Sequence, residues 1–154
     1  MKQTLTISVP GEPVGKGRPQ FVPATGRAHT PKKTAKYENL VAVTFQNKYP
    51  DWVESLDMVS VEISAYFSIP KSWSKKKQAM ARNELIRPTK APDADNISKT
   101  KDALNHIAWK DDAQVIEEHI YKYYSDRPRV EFTLTFLDAD ELLERKLNDG
   151  ICKA

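Results

Sequence analysis

KAPDADNISKTKDALNHIAWKDDAQV, residues 90–115, places four aspartates, Asp93, Asp95, Asp111 and Asp112, around one short segment. Pro92 disfavours the α conformation in Ala91, so the chain arrives extended, and Asp93 or Asp95 can cap the helix that follows. From Ile97 onward, Ala103, Leu104, Ile107 and Ala108 recur with Ile97 at a helical period, which predicts one amphipathic helix with Lys99, Asp102 and His106 on its polar side. Burying that stripe leaves Asp93 and Asp95 at the N-terminal mouth, with Asp111 and Asp112 returning on the next loop. Hard oxygen ligands of this kind suit Mg²⁺ or Mn²⁺ and not zinc. The three histidines, His29, His106 and His119, are scattered and have no partner cysteines, so they make no zinc site.

The flanking segments supply a sheet. Residues 4–9 alternate and are β-branched, and Pro10 and Gly11 end that strand. Residues 58–70 are the clearest strand, with Val59, Val61, Ile63, Phe67 and Ile69 alternating with polar neighbours. Residues 115–125 and 130–137 read as an antiparallel hairpin about Asp126, Arg127 and Pro128. Between these lie a loop over 11–31 and a helix with the stripe Tyr37, Leu40, Val41, Phe45 and Tyr49, capped by Thr30 or Thr34 and ended by Pro50. A second helix is capped by Ser74 and runs over 75–86. Trp73, beside that cap, is read as a packing anchor rather than a base-stacking platform. The acidic run from Asp138 predicts a short final helix. The order β, α, β, α, α, β, β gives an α+β fold, a mixed, mostly antiparallel sheet with helices packed on it.

At 154 residues the chain makes one domain with a core that needs no staples. Cys152 is the only cysteine, so no internal disulfide forms, which fits a reducing cytoplasm. No run reaches membrane-spanning length and the first residues do not resemble a signal peptide, so a soluble cytoplasmic protein without membrane contact is expected. The net charge of +3 is unevenly distributed: residues 1–36 and 71–90 each carry +6, and the remainder carries −9. That split describes a polyanion-binding face beside an acidic site. Lys32 and Lys33, at the start of the first helix, are placed to hold phosphate with the free helix N–H groups, and Lys75, Lys76 and Lys77 head the second block.

PDADN with a following lysine, then DALN, then WKDD, resembles the RusA family of Holliday-junction resolvases, whose pattern is roughly P-D-x-D-N-x-x-K, D-A-L-N and a D-D pair. The N-terminal GEPVGKGRPQF and HTPKKTAKYE resemble the phage and prophage branch of that family, so the likeness covers about the first four-fifths of the chain. One spacing departs: two residues, not three, separate Lys99 from Asp102, and anchoring on Asp102 would place the family lysine at Ser98. The resemblance implies a nuclease domain over 1–137 with an acidic helix or tail over 138–154. It also implies a homodimer, and branched DNA, a four-way junction, as partner. Lys16 and Arg18 in the glycine-flanked loop, and Lys122 on the strand after the D-D pair, then join the basic blocks as DNA-binding residues. On the same basis Asp93, Asp95 and Asp112 would hold one or two Mg²⁺, with Mn²⁺ as substitute, and Lys99 would stabilise the phosphorane during metal-dependent cleavage. The alternative is a noncatalytic nucleic-acid-binding module. It accounts for the basic blocks but not for carboxylates, which repel phosphate unless a cation intervenes.

Overall fold

The computed structural model describes residues 2–150, so Cys152 lies outside the described residues. Its strands are β1 (Gln3–Pro10), β2 (Gln20–Val22), β3 (Arg27–His29), β4 (Met58–Ser68), β5 (Val115–Ser125) and β6 (Arg129–Leu137). The helices are α1 (Lys32–Lys48), α2 (Lys75–Arg82), α3 (Ala94–Ser98) and α4 (Ala139–Asn148), with 3₁₀ turns at Lys99–Leu104 and Asp112–Gln114. The main sheet runs β1-β6-β4-β5, with β6 antiparallel to both neighbours and β4 parallel to β5. The α+β class and the mostly antiparallel sheet are as the sequence predicts.

Alternation decides which face is covered. Leu5, Ile7 and Val9 of β1, Val59 to Phe67 at every second position of β4, and Val130, Phe132, Leu134 and Phe136 of β6 are all buried. Against them pack Tyr37, Val41 and Phe45 of α1, together with Ile97, Leu104, Ala108 and Trp109 from the aspartate-bearing stretch. A helix stripe and a sheet face of this kind exclude water from one common core, the dominant favourable term in folding.

The expected hairpin of residues 115–125 with 130–137 does not form, because β4 lies between the two strands. The reason is burial. β6 has an apolar face that needs neighbours on both sides, whereas β5 carries Glu117, Glu118, His119 and Lys122 and suits an edge, where charge blocks further pairing. Parallel pairing of β4 with β5 requires a long crossover, and residues 69–114 provide it.

The loop predicted over 11–31 also holds more structure: β2 and β3 form a separate two-stranded ribbon with Phe21 exposed. Neither Thr30 nor Thr34 caps α1; Pro31 stands at its N-cap without a side-chain bond, and buried Thr34 instead accepts the Gly17 N–H at 2.9 Å. Ser74 caps α2 as expected, but the helix ends at Arg82, where Asn83 caps it and Glu84 takes φ 63°. Trp73 is a packing residue, set edge-on against Tyr124 at 5.1 Å with the Lys77 ammonium 4.1 Å above its ring. In the acidic tail, Asp138 and Glu141 form a reciprocal capping box that starts α4.

The single helix predicted after the leading aspartates does not run unbroken. It begins as α3 but tightens to 3₁₀ at Lys99, and Asn105 is extended with His106 at φ 63°. At the change, buried Thr100 donates its hydroxyl to the Ile97 carbonyl at 2.6 Å, a side-chain bond of the kind that competes with helix hydrogen bonding. The apolar stripe is still buried, with Ile97, Leu104 and Ala108 inaccessible.

Candidate active site

Asp93 is the N-cap of α3, and its Oδ1 accepts the Asn96 N–H at 2.8 Å. Asp95, in the first turn, has a side chain 77% exposed and forms an i,i+4 pair with Lys99 at 3.1 Å. Both aspartates, with Asn96 and Lys99, line a hollow of about 290 Å³ whose other wall is Lys16, Gly17, Arg18 and Pro19. The acidic turn and the glycine-flanked basic loop are therefore two sides of one site.

Close packing holds that wall in place. A Cβ on Gly15 would lie 2.8 Å from Pro92 Cβ and 3.0 Å from Asn96 Cβ, and one on Gly17 would lie 3.1 Å from the Thr34 hydroxyl. Glycine here serves close approach between loop and helix. The Lys16 N–H donates to the Asn96 carbonyl at 2.9 Å. Its ammonium lies between Asp102 at 3.0 Å and Glu38 at 3.1 Å. Burial opposes the charge on Lys16, but these two carboxylates outweigh it and hold its pKa above the ordinary lysine value. Lys16 thus reaches a ligand only from a fixed post, while Arg18 stands in the exposed part of the wall.

Asp112 is elsewhere. Its Oδ1 accepts the Trp109 indole N–H at 2.9 Å, and it lines a second hollow with Lys101, Val115, Ile116, Glu117 and Glu118. Asp111 spends its carboxylate on a capping box with Gln114 that starts the 3₁₀ turn before β5, which distinguishes the two members of the D-D pair. Among the described residues no group of three or more His, Cys, Asp or Glu is assembled closely enough to hold a metal ion. The donors around the first hollow nevertheless fit a hard divalent cation. Magnesium is commonly held by one or two carboxylates, with water and substrate phosphate completing the shell.

Lys122 is the remaining surprise. It sits on the core-facing side of β5 in register with Ala65, donates to the Lys90 carbonyl at 2.7 Å, and lies 5.1 Å from the Phe67 ring centroid. Burial pulls its pKa below the ordinary lysine value, against the opposing pull of nearby Asp93. It anchors the segment that delivers Asp93, a role the sequence pattern did not suggest. Arg87 pins the same segment through the Lys122 carbonyl at 2.8 Å. Lys32, Lys33, Lys75 and Lys76 are exposed at the starts of α1 and α2. His106 is exposed, as the sequence predicts.

An α+β sandwich in which a turn carrying Asp93 and Asp95 is walled by the cationic loop residues Lys16 and Arg18 defines the class of this protein. Within that class, the chain belongs to the RusA endodeoxyribonuclease family, a family of Holliday-junction resolvases: the sequence profile of Endodeoxyribonuclease RusA matches residues 10–135, from the end of β1 to within β6. It is also similar to the uncharacterized protein YqaN of Bacillus subtilis (strain 168), with 39% identity over 140 residues that cover 88% of this chain and 98% of that protein. α4 lies beyond the profile match. No helix among the described residues is long and apolar enough to cross a membrane.

Proposed function

We propose that this protein is a Mg²⁺-dependent, structure-selective endodeoxyribonuclease that resolves four-way junctions and other branched DNA in recombination and repair. The observation that carries this reading is the hollow in which Asp93, Asp95 and Lys99 face Lys16 and Arg18. Asp93 and Asp95 would hold the ion, with Mn²⁺ as substitute, and Asp112, from the second hollow, would be the third carboxylate. The ion would supply a water of lowered pKa and neutralise charge on the leaving oxygen. Lys99, released from an exposed pair with Asp95 that is worth no more than about 1 kcal/mol, turns its ammonium to the phosphoryl oxygens. Arg18 and the fixed Lys16 orient the scissile strand.

The test is a synthetic four-way junction incubated with and without Mg²⁺, with the cut positions mapped. Metal-dependent paired nicks near the branch support the nuclease; tight junction binding without any cut supports the noncatalytic binding module instead.

Lys32 and Lys33 with Arg18, and Lys75 to Lys77, are proposed to hold backbone phosphate. Lys77 is partly committed to Trp73. Replacing Lys75 and Lys76 by alanine is expected to weaken binding to all DNA sequences alike. The slope of log K against log salt should fall by about two, close to 0.9 for each phosphate that is no longer neutralised. An unchanged slope would show that both side chains face solvent.

The active species is proposed to be a twofold homodimer, since a four-way junction needs two symmetric cuts and each chain carries one acidic turn. Of the aromatic surfaces that could pair, Phe45 and Tyr124 are consumed by the core and Tyr49 is bonded to the Thr6 backbone. The sheet face opposite α1 retains a stack, Tyr66 to Tyr123 at 5.4 Å and Tyr123 to Tyr121 at 6.1 Å, with Arg129 3.9 Å from the Tyr66 ring. Tyrosine and arginine of this kind favour interfaces. Solution mass at micromolar protein decides the claim: a monomer that still makes paired symmetric cuts excludes it.

A further inference from the structure

Residues 98–101, where α3 passes into the 3₁₀ turn, form a rib that contributes Lys99 to the first hollow and Lys101 to the second. Lys99 points from this rib to Asp95, while Lys101, two residues on and so turned to another side, lines the hollow of Asp112. One side chain from the sheet grips the rib. The Glu118 carboxylate on β5 accepts the Ser98 hydroxyl at 3.1 Å on one oxygen and 3.2 Å on the other, and lies 2.6 Å from the Lys101 ammonium.

The location of this contact is informative. Glu118 is in register with Val61, and two residues on Ile120 is in register with Ile63, so Glu118 occupies the core-facing row of β5 where an apolar residue is the default. Ser98 is buried and the Lys101 side chain is 15% exposed, whereas the Glu118 side chain keeps 34% of its surface exposed, so the cluster sits at the margin of the core. At this margin one carboxylate meets two donors one turn apart, the Ser98 hydroxyl and the Lys101 ammonium. Four residues along the same strand Lys122 holds the segment entering α3, so β5 grips the aspartate turn at both ends.

We propose that Glu118 is a positioning residue for cleavage: through Ser98 and Lys101 it fixes the rib that serves both hollows and so sets the placement of Asp95 and Lys99 relative to Asp112. This rests on the nuclease reading above and assigns Glu118 no contact with DNA.

The experiment compares full-length wild type, Glu118→Gln, Glu118→Ala and Lys101→Met by single-turnover junction cleavage across a Mn²⁺ series, by junction binding in chelator, and by calorimetric Mn²⁺ titration. Glu118→Gln retains shape and an acceptor for Ser98, so it keeps the question answerable even if the alanine variant does not fold. Expected are a fall of about ten- to a hundred-fold in cleavage or in Mn²⁺ affinity, the range typical of residues that orient metal-binding groups, with junction binding within about two-fold of wild type. The Lys101→Met, Glu118→Gln double variant should be no worse than the poorer single. Unchanged cleavage and Mn²⁺ affinity in Glu118→Gln beside an active wild type overturns the inference alone, as does a parallel loss of junction binding. A wild type that neither binds Mn²⁺ nor cuts overturns the nuclease reading, and this inference with it.

Discussion

Asp95→Asn is expected to abolish metal-dependent junction cleavage while leaving the protein folded and junction binding intact. The substitution keeps the size and one oxygen of the side chain but removes the charge that would draw a cation into the hollow shared with Asp93, Asn96 and Lys99. Single preorganised electrostatic groups in active sites act on a scale of about a hundred-fold or more in rate, and a fall of at least that size is expected. Stability hardly enters, because the pair removed, with Lys99, is exposed and worth about 0.2–1 kcal/mol at most. Asp95 is in this respect a cleaner probe than Asp93, whose carboxylate also caps α3. Binding in chelator should hold or tighten, since one negative charge has left a site meant for phosphate. A variant that cuts junctions at the wild-type rate with wild-type Mg²⁺ dependence would remove Asp95 from the chemistry.

Trp109→Ala is expected to have the largest effect on stability. Trp109 is inaccessible to solvent and is the largest of the fully buried side chains. It packs in the core cluster, and its indole N–H meets Asp112. Truncating a buried aromatic typically costs about 3–5 kcal/mol. In a domain of this size that lowers Tm by roughly 10 °C, readable by thermal unfolding. The same change frees the Asp112 carboxylate, so below its lowered Tm the variant should also lose cleavage. Trp109→Phe separates the two effects: most of the packing returns, while Asp112 still lacks its donor. Wild-type stability in Trp109→Ala would contradict the burial, and full activity in Trp109→Phe would show that the indole does not hold Asp112 for catalysis.

These outcomes depend on different parts of the chain. The first was legible in PDADN and the following lysine, where cap, carboxylate and ammonium lie within one or two turns of each other. The second was half legible: the WKDD loop announced acidic residues, but nothing local said that the tryptophan would be the core anchor holding one of them. Helix starts at Ser74 and Asp93, the inward row of β4 and β6 and the stripe of Ile97, Leu104 and Ala108 follow from spacing and short-range hydrogen bonding. Those forces act within a few residues and can be read from them.

What lay beyond the sequence was every pairing set by distant partners. The strand order β1-β6-β4-β5, in which β4 comes between two strands three residues apart in the chain, depends on which face needs two neighbours and which edge can stay charged. The binding of Lys16 by Asp102 and Glu38, and of Lys101 by Glu118, joins residues 86, 22 and 17 positions apart. By itself the sequence determined that this chain carries an acidic turn, two basic blocks and an α+β core, because composition and periodicity are local properties. Only the tertiary structure decided which lysines face the hollow and which are held in ion pairs, because burial and charge pairing are settled by residues that meet after the chain has folded.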